Sequence, residues 1–227
     1  MTASIHLRTL RLALLLDIAV ILLFMVIRVC GYRPLLAIPG ALRYIVQPAL
    51  LLFAYALIVS RATTVRDTTV QTALEIGTAF GLLSGMISIA HIVQENYLQL
   101  DGRSTALATW AFILAMFLPW GVAGYRAVRN TSAIGPGVLA GSWSALVCML
   151  ITVTFGFGQL LWSLSHLEQR DGSSPDFIRS GWTDLRAFAI VDIFDAGFWH
   201  LLIGPVAGAV LGGLGGAIVR ILPKTMD

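Results

Sequence analysis

Seven side chains in this sequence have the chemistry of a site in an unusual place. Asp17, Glu75, His91, Glu95, Asp192, Asp195 and His200 lie inside or at the edge of long apolar runs. A charged group at the centre of a membrane helix costs about 2.5–3.5 kcal/mol by insertion measurements, so each needs a partner, a cavity or a function. Position along the runs sorts them. Asp17 and Glu75 fall in the half nearest the N-terminus. His91 with Glu95, four residues on, and Asp192, Asp195 and His200 fall in the opposite half, with His166 as a further member.

Imidazoles and carboxylates together suit zinc, iron or manganese. His91, Asp195 and His200 are therefore weak metal candidates. Their spacing argues against the idea, because the sequence contains no H-E-x-x-H, paired E-x-x-H or C-x-x-C. Polar groups at a helix–water boundary are the favoured account, with a proton or solute pathway as the alternative. No cofactor is expected. Asp184, Asp192, Asp195 and Trp199 fall within about 80° of one helix face, an acidic stripe suited to a cavity or a partner. For Asp17 and Glu75, snorkelling or hydrogen bonding at the boundary is favoured over pairing with arginine. Nucleophile, phosphate-loop and dinucleotide motifs are absent, so the sequence leans away from an enzyme.

The elements that must carry these residues follow from composition. Of 227 residues, 57% are hydrophobic and 12% charged, about half the charge of a soluble domain. The charges cluster between apolar runs of membrane-spanning length. The expected fold is an all-α integral membrane protein, a single bundle of about six transmembrane helices. The spans read as 10–29, 42–60, 69–93, 105–125, 137–163 and 198–221. The segment 164–197 is polar, and from Asp176 it becomes too apolar for a linker and too charged to span. It reads as an interfacial or re-entrant helix leading into the last span. The first span has no A-x-A site and carries Asp17, so it is read as uncleaved. Two cysteines, Cys30 and Cys148, lie at different depths and are not expected to pair. The net charge of +3 belongs to arginines between spans, and no basic run with interleaved aromatics suggests nucleic acid.

The last span carries a glycine ladder, Gly204, Gly208, Gly212 and Gly216. Such a bare ridge, a glycine zipper, lets another backbone approach closely. Four-residue steps advance 40° each on an ideal helix, so the ladder winds through about 120° and suits two neighbours as well as one. Pro205 predicts a bend between the ladder and the acidic entrance. Asp67 and Thr68 are candidate N-caps for the third span.

Gly77 and Gly81 in the third span echo Gly137 and Gly141 in the fifth, each pair followed by a serine three residues later. With one proline in each of spans two, four and six, the echo reads as three related helical hairpins. Coincidence is the competing account, because small residues are common in membrane helices.

Six spans place Arg8, Arg11, Arg61, Arg66, Arg126, Arg129, Arg220 and Lys224 on one side. Arg28, Arg33, Arg43, Arg103, Arg170, Arg179 and Arg186 fall on the other. Charges in a longer loop count less, so both termini are assigned to the cytoplasm, in a bacterial cytoplasmic (inner) membrane. Functionally, the sequence favours a non-catalytic membrane component. It would sit in the lipid bilayer and pack with a membrane protein partner or its own copies through the glycine ladder. The alternatives are a small transporter or channel using the intramembrane acids, and an intramembrane metal-dependent enzyme.

Overall fold

The computed structural model describes residues 2–97 and 102–221. Lys224, counted in the charge balance, lies outside the described residues. The described chain forms α1 (Thr2–Gly31), α2 (Ala41–Ala62), α3 (Thr68–Tyr97), α4 (Gly102–Thr131), α5 (Ile134–Trp162), α6 (Leu164–Gly172), α7 (Pro175–Ser180) and α8 (Leu185–Ile221). A 3-10 turn, Arg33–Ala37, separates α1 from α2, and no strand occurs among the described residues. Helices α1 to α5 and α8 are each long and apolar enough to cross a membrane. The protein is an all-α integral membrane protein.

Consecutive long helices pair as hairpins, α1 with α2, α3 with α4, and α5 with α8. The α5–α8 hairpin is the middle layer. Helix α5 packs on α1 and α3, and α8 packs on α2 and α4. The most apolar stretch of α5 is 67% buried, against 17–28% for the other five spans. Its small residues Gly137, Ala140, Gly141, Ser144 and Ala145 are buried and let neighbours close in on several sides. The outer helices present Leu12, Leu16, Leu50, Phe53, Leu114 and Leu118 outward, as a lipid-facing surface requires.

The glycine ladder is used inside the chain. A Cβ on Gly208 would stand 2.5 Å from Ala145 Cβ, and one on Gly212 would stand 2.8 Å from Gly141 Cα, both on α5. One on Gly216 would meet Val128 Cγ2 at 2.5 Å, on α4, and neighbouring Gly215 faces Tyr125 N of α4 at 3.2 Å. The ridge therefore winds from α5 onto α4. Its glycines are covered by helices of the same chain. The echoed glycines face different neighbours. Gly77 and Gly81 lie against Ala140 O and Ser144 O of α5, each at 2.6 Å from the added Cβ. Gly137 and Gly141 turn instead towards α8, with Gly137 also against α4.

Helix α8 runs unbroken for 37 residues, or about 55 Å. That exceeds a hydrocarbon core of about 30 Å, so one end must project. Residues 185–197 are already helical, and the polar segment before them resolves into α6, α7 and a turn. Asp184 caps the helix, its Oδ1 accepting the Ala187 N–H at 3.0 Å. Its Oδ2 accepts the Tyr32 hydroxyl at 2.6 Å, fixing the entry of α8 to the end of α1. Burial by itself would raise the Asp184 carboxyl. The bonds from Tyr32 and the backbone N–H groups, with the Arg186 charge, outweigh it and hold the carboxyl below its ordinary 3.8. The same hydrogen bond, then burial, pushes the Tyr32 phenol above its ordinary 10.0. At the start of α3, Asp67 Oδ1 accepts the Thr69 N–H at 2.7 Å.

Pro205 lies inside α8 and deprives one carbonyl, that of Leu201 four residues earlier, of its helical donor. The buried Tyr55 hydroxyl of α2 donates to that carbonyl. A backbone acceptor without a donor is costly where water is absent. Tyr55→Phe is expected to lower stability by about 1–3 kcal/mol, read as a lower unfolding temperature in detergent. Adding Pro205→Ala, which returns an N–H to Leu201, should recover most of the loss. An unchanged unfolding temperature for Tyr55→Phe would show that the carbonyl is satisfied in another way.

Candidate site: a cavity in the distal half of the bundle

The glycines also decide where the bundle stays open. In the half nearest the chain ends, Gly121 and Gly124 of α4, Gly137 and Gly141 of α5, and the ladder of α8 bring three backbones together. Beyond Pro119 and Pro205 this contact of three backbones ends. There α3, α4, α5 and α8 border an open cavity of about 370 Å³. That volume lies in the range of small-molecule sites.

The inner end is lined by Ser88, Met116, Thr152 and His200. Ser88 and Thr152 are buried, and their hydroxyls are hydrogen-bonded at 2.8 Å. Thr152 also donates to the Cys148 carbonyl at 2.9 Å, so its single proton is committed and it accepts from Ser88. The middle has apolar walls from Ile113, Val153, Phe157 and Ile193. His91 enters from α3, its ring 5.4 Å from that of Phe112. Its Nε2 is screened from solvent and lies 3.5 Å from Glu95 Oε1, at ion-pair distance but without a hydrogen bond.

The outer rim is a connected polar network. Arg170 NH1 donates to Asn96 Oδ1 at 2.7 Å, and Asn96 Nδ2 to Gln159 Oε1 at 3.3 Å. Gln159 Nε2 donates to the Tyr97 hydroxyl at 3.3 Å. His166 supports this rim from α6, stacked on Tyr97 at 5.0 Å, with Nε2 2.6 Å from the Asn96 carbonyl. A carbonyl only accepts, so His166 carries a proton on Nε2. Arg170 binds Asp171 Oδ1 through Nε at 2.8 Å and NH2 at 2.7 Å. Asp192 Oδ2 is 3.9 Å from the same guanidinium. His200 Nδ1 sits 2.7 Å from the Ala196 carbonyl, which by the same reasoning puts a proton on Nδ1.

Four of the seven ionisable residues singled out by spacing thus meet in one cavity, namely His91, Glu95, Asp192 and His200. The other three do not line it. Asp17 lies in the α1–α5 seam, where the Thr154 hydroxyl donates to its Oδ1 at 2.7 Å. Glu75 is exposed on the outside of α3. Asp195 is half-buried and outside the lining. The acidic stripe is divided, since Asp184 caps α8 and faces Tyr32 while Asp192 faces the cavity. No three His, Cys, Asp or Glu side chains come together as metal ligands among the described residues, so His91, Asp195 and His200 do not form the set considered for a metal.

Spacing alone passed over Ser88, Asn96, Thr152, Gln159 and Arg170. A signal for two of them existed. The face that carries Gly77, Gly81 and Gly85 continues in near-helical steps to Ser88, Ile92 and Asn96, so the α3 ridge widens where the cavity begins. Arg170 gave none, because α6 had first to fold back over the end of α3. No protein-family model, curated protein or solved structure matches the chain.

Proposed function

We propose that this polytopic membrane protein is a non-catalytic membrane component that holds a small amphiphilic molecule in its distal cavity. The convergence of His91, Glu95, Asp192 and His200 on one space with apolar walls carries this reading. A charged rim over an apolar interior, near the membrane–water boundary, suits a ligand with a polar head and an apolar body. A route across the bilayer is less well supported, since Asp17 and Glu75 stand away from the cavity and no line of acids joins the two halves. With the glycine ladder occupied internally, any second protein or further copy would meet the outward leucine and phenylalanine surface, which otherwise faces lipid.

The test is lipid extraction and mass spectrometry on full-length protein purified in mild detergent. One amphiphile should co-purify in near-stoichiometric amount with the native protein. Ile113→Trp, which fills the cavity from α4, should remove it while leaving the unfolding temperature in place. Equal amounts in both proteins would refute the reading.

The termini are proposed to lie in the cytoplasm of a bacterial cell. The end carrying the termini holds eight basic residues against seven at the opposite end, and two of those seven, Arg179 and Arg186, lie in the longer loop, where they count less. Cys30 is exposed at the end remote from the termini, and Cys148 is buried. A membrane-impermeant maleimide should therefore label Cys30 in intact cells, and Cys30→Ser should abolish the label. Labelling only after lysis would reverse the orientation.

A further inference from the structure

The hydrogen-bonding inventory of the cavity is one-sided. Apart from the His91 ring, each donor side chain of the lining makes at least one hydrogen bond inside the protein. All three nitrogens of Arg170 reach Asp171 or Asn96, the Asn96 amide reaches Gln159, the Gln159 amide reaches Tyr97, and the Ser88 and Thr152 protons close on each other and on Cys148. The acceptors are left over. Asp192 has the distant, shared Arg170 at 3.9 Å, and Glu95 has His91 at 3.5 Å without a hydrogen bond. Formal charge agrees. The lining holds two carboxylates and one guanidinium, and that guanidinium is already matched by Asp171.

We propose that the cavity takes an organic ammonium, with the cationic N–H group at the Glu95 and Asp192 carboxylates and its apolar body against Ile113, Val153 and Phe157. This rests on the amphiphile-binding reading above and names its ligand class. An anionic head would meet the charges of Glu95 and Asp192, neither of which accepts a hydrogen bond from the protein. A neutral alcohol would satisfy one acceptor and leave the charge uncompensated. An ammonium supplies up to three donors and the missing positive charge.

Three probes with the same six-carbon body separate these cases: hexylammonium, hexanol and hexanoate. They are titrated calorimetrically into the full chain in lipid nanodiscs, with empty nanodiscs correcting for partition. Hexylammonium should bind saturably and most tightly. Asp192→Asn and Glu95→Gln should each weaken it about tenfold, as loss of a close charge partner does, while leaving hexanol unchanged. Both carboxylates are about half exposed, so either variant should fold, and the two act as independent tests. Tightest binding of hexanoate or hexanol, or hexylammonium binding indifferent to both substitutions, would overturn the ammonium assignment and leave the cavity as a binding site. Absence of saturable binding for all three, or binding that survives Ile113→Trp, would overturn the cavity reading itself.

Discussion

Gly212→Leu should yield no stably folded protein, and even Gly212→Ala should destabilise. Gly212 lies where three helices meet. An added Cβ would stand 2.8 Å from Gly141 Cα and 3.0 Å from Gly141 N, and the Gly137 carbonyl is closer still. Gly124 of α4 presses from the other side, its own added Cβ falling 2.5 Å from Gly212 C. These are backbone atoms of two helices, so the strain cannot be relieved by turning a side chain. Overpacking of this kind costs about 1–3 kcal/mol for one methyl group, and a leucine should exceed about 4 kcal/mol. Helix propensity points the other way, since alanine is favoured over glycine by about 1 kcal/mol in a helix interior. The sign of Gly212→Ala therefore separates packing from propensity. Gly213, next in sequence, would meet only Val138 Cγ2 at 3.4 Å, so Gly213→Ala should be neutral or slightly stabilising. Thermal unfolding in detergent and monodisperse yield measure all three. A Gly212→Leu protein that purifies and melts like the wild type would mean that α4, α5 and α8 do not meet as described.

Arg170→Ala should be the most destabilising change at the cavity rim. Asp171 is buried, 4% exposed, and its Oδ1 is held by Arg170 alone while Oδ2 has no partner. Removing the guanidinium strands a carboxylate in a site that water hardly reaches. Breaking a fully buried pair costs about 3–5 kcal/mol. Arg170 is itself 39% exposed, so water screens the pair and a loss of about 2–3 kcal/mol is expected. Asp171→Asn in the same chain should restore most of it by removing the stranded charge. If the double variant is no more stable than Arg170→Ala alone, the loss comes instead from the Asn96 contact that orders the end of α3. Asn96→Ala should then reproduce it.

The sequence by itself determined the membrane class, the six long helices and the close-packing role of small residues. These depend on hydropathy, helix length and the absence of a Cβ, which are properties of the chain read locally. It also determined that the ladder would wind. Four-residue steps do not close on a 3.6-residue helix, and the ridge duly passes from α5 at Gly208 to α4 at Gly216. What the ridge touches was a tertiary matter. A bare face attracts any helix of the right shape, and nothing in 198–221 distinguishes α5 of the same chain from a separate protein.

The site divides in the same way. That ionisable residues inside apolar runs need a reason was legible in the sequence. Which of them share that reason was not, because depth along a helix says nothing about the direction a side chain faces once neighbours are chosen. His91, Glu95, Asp192 and His200 meet because α3 and α8 lie on opposite sides of one cavity, while Asp17 turns to Thr154 on the far side of α5. Arg170, Asn96 and Gln159 became a rim only when α6 folded over the end of α3. The tertiary structure also satisfied what the sequence left open at Pro205. The helix continues because Tyr55, from a helix about 150 residues earlier in the chain, donates to the carbonyl that proline leaves bare.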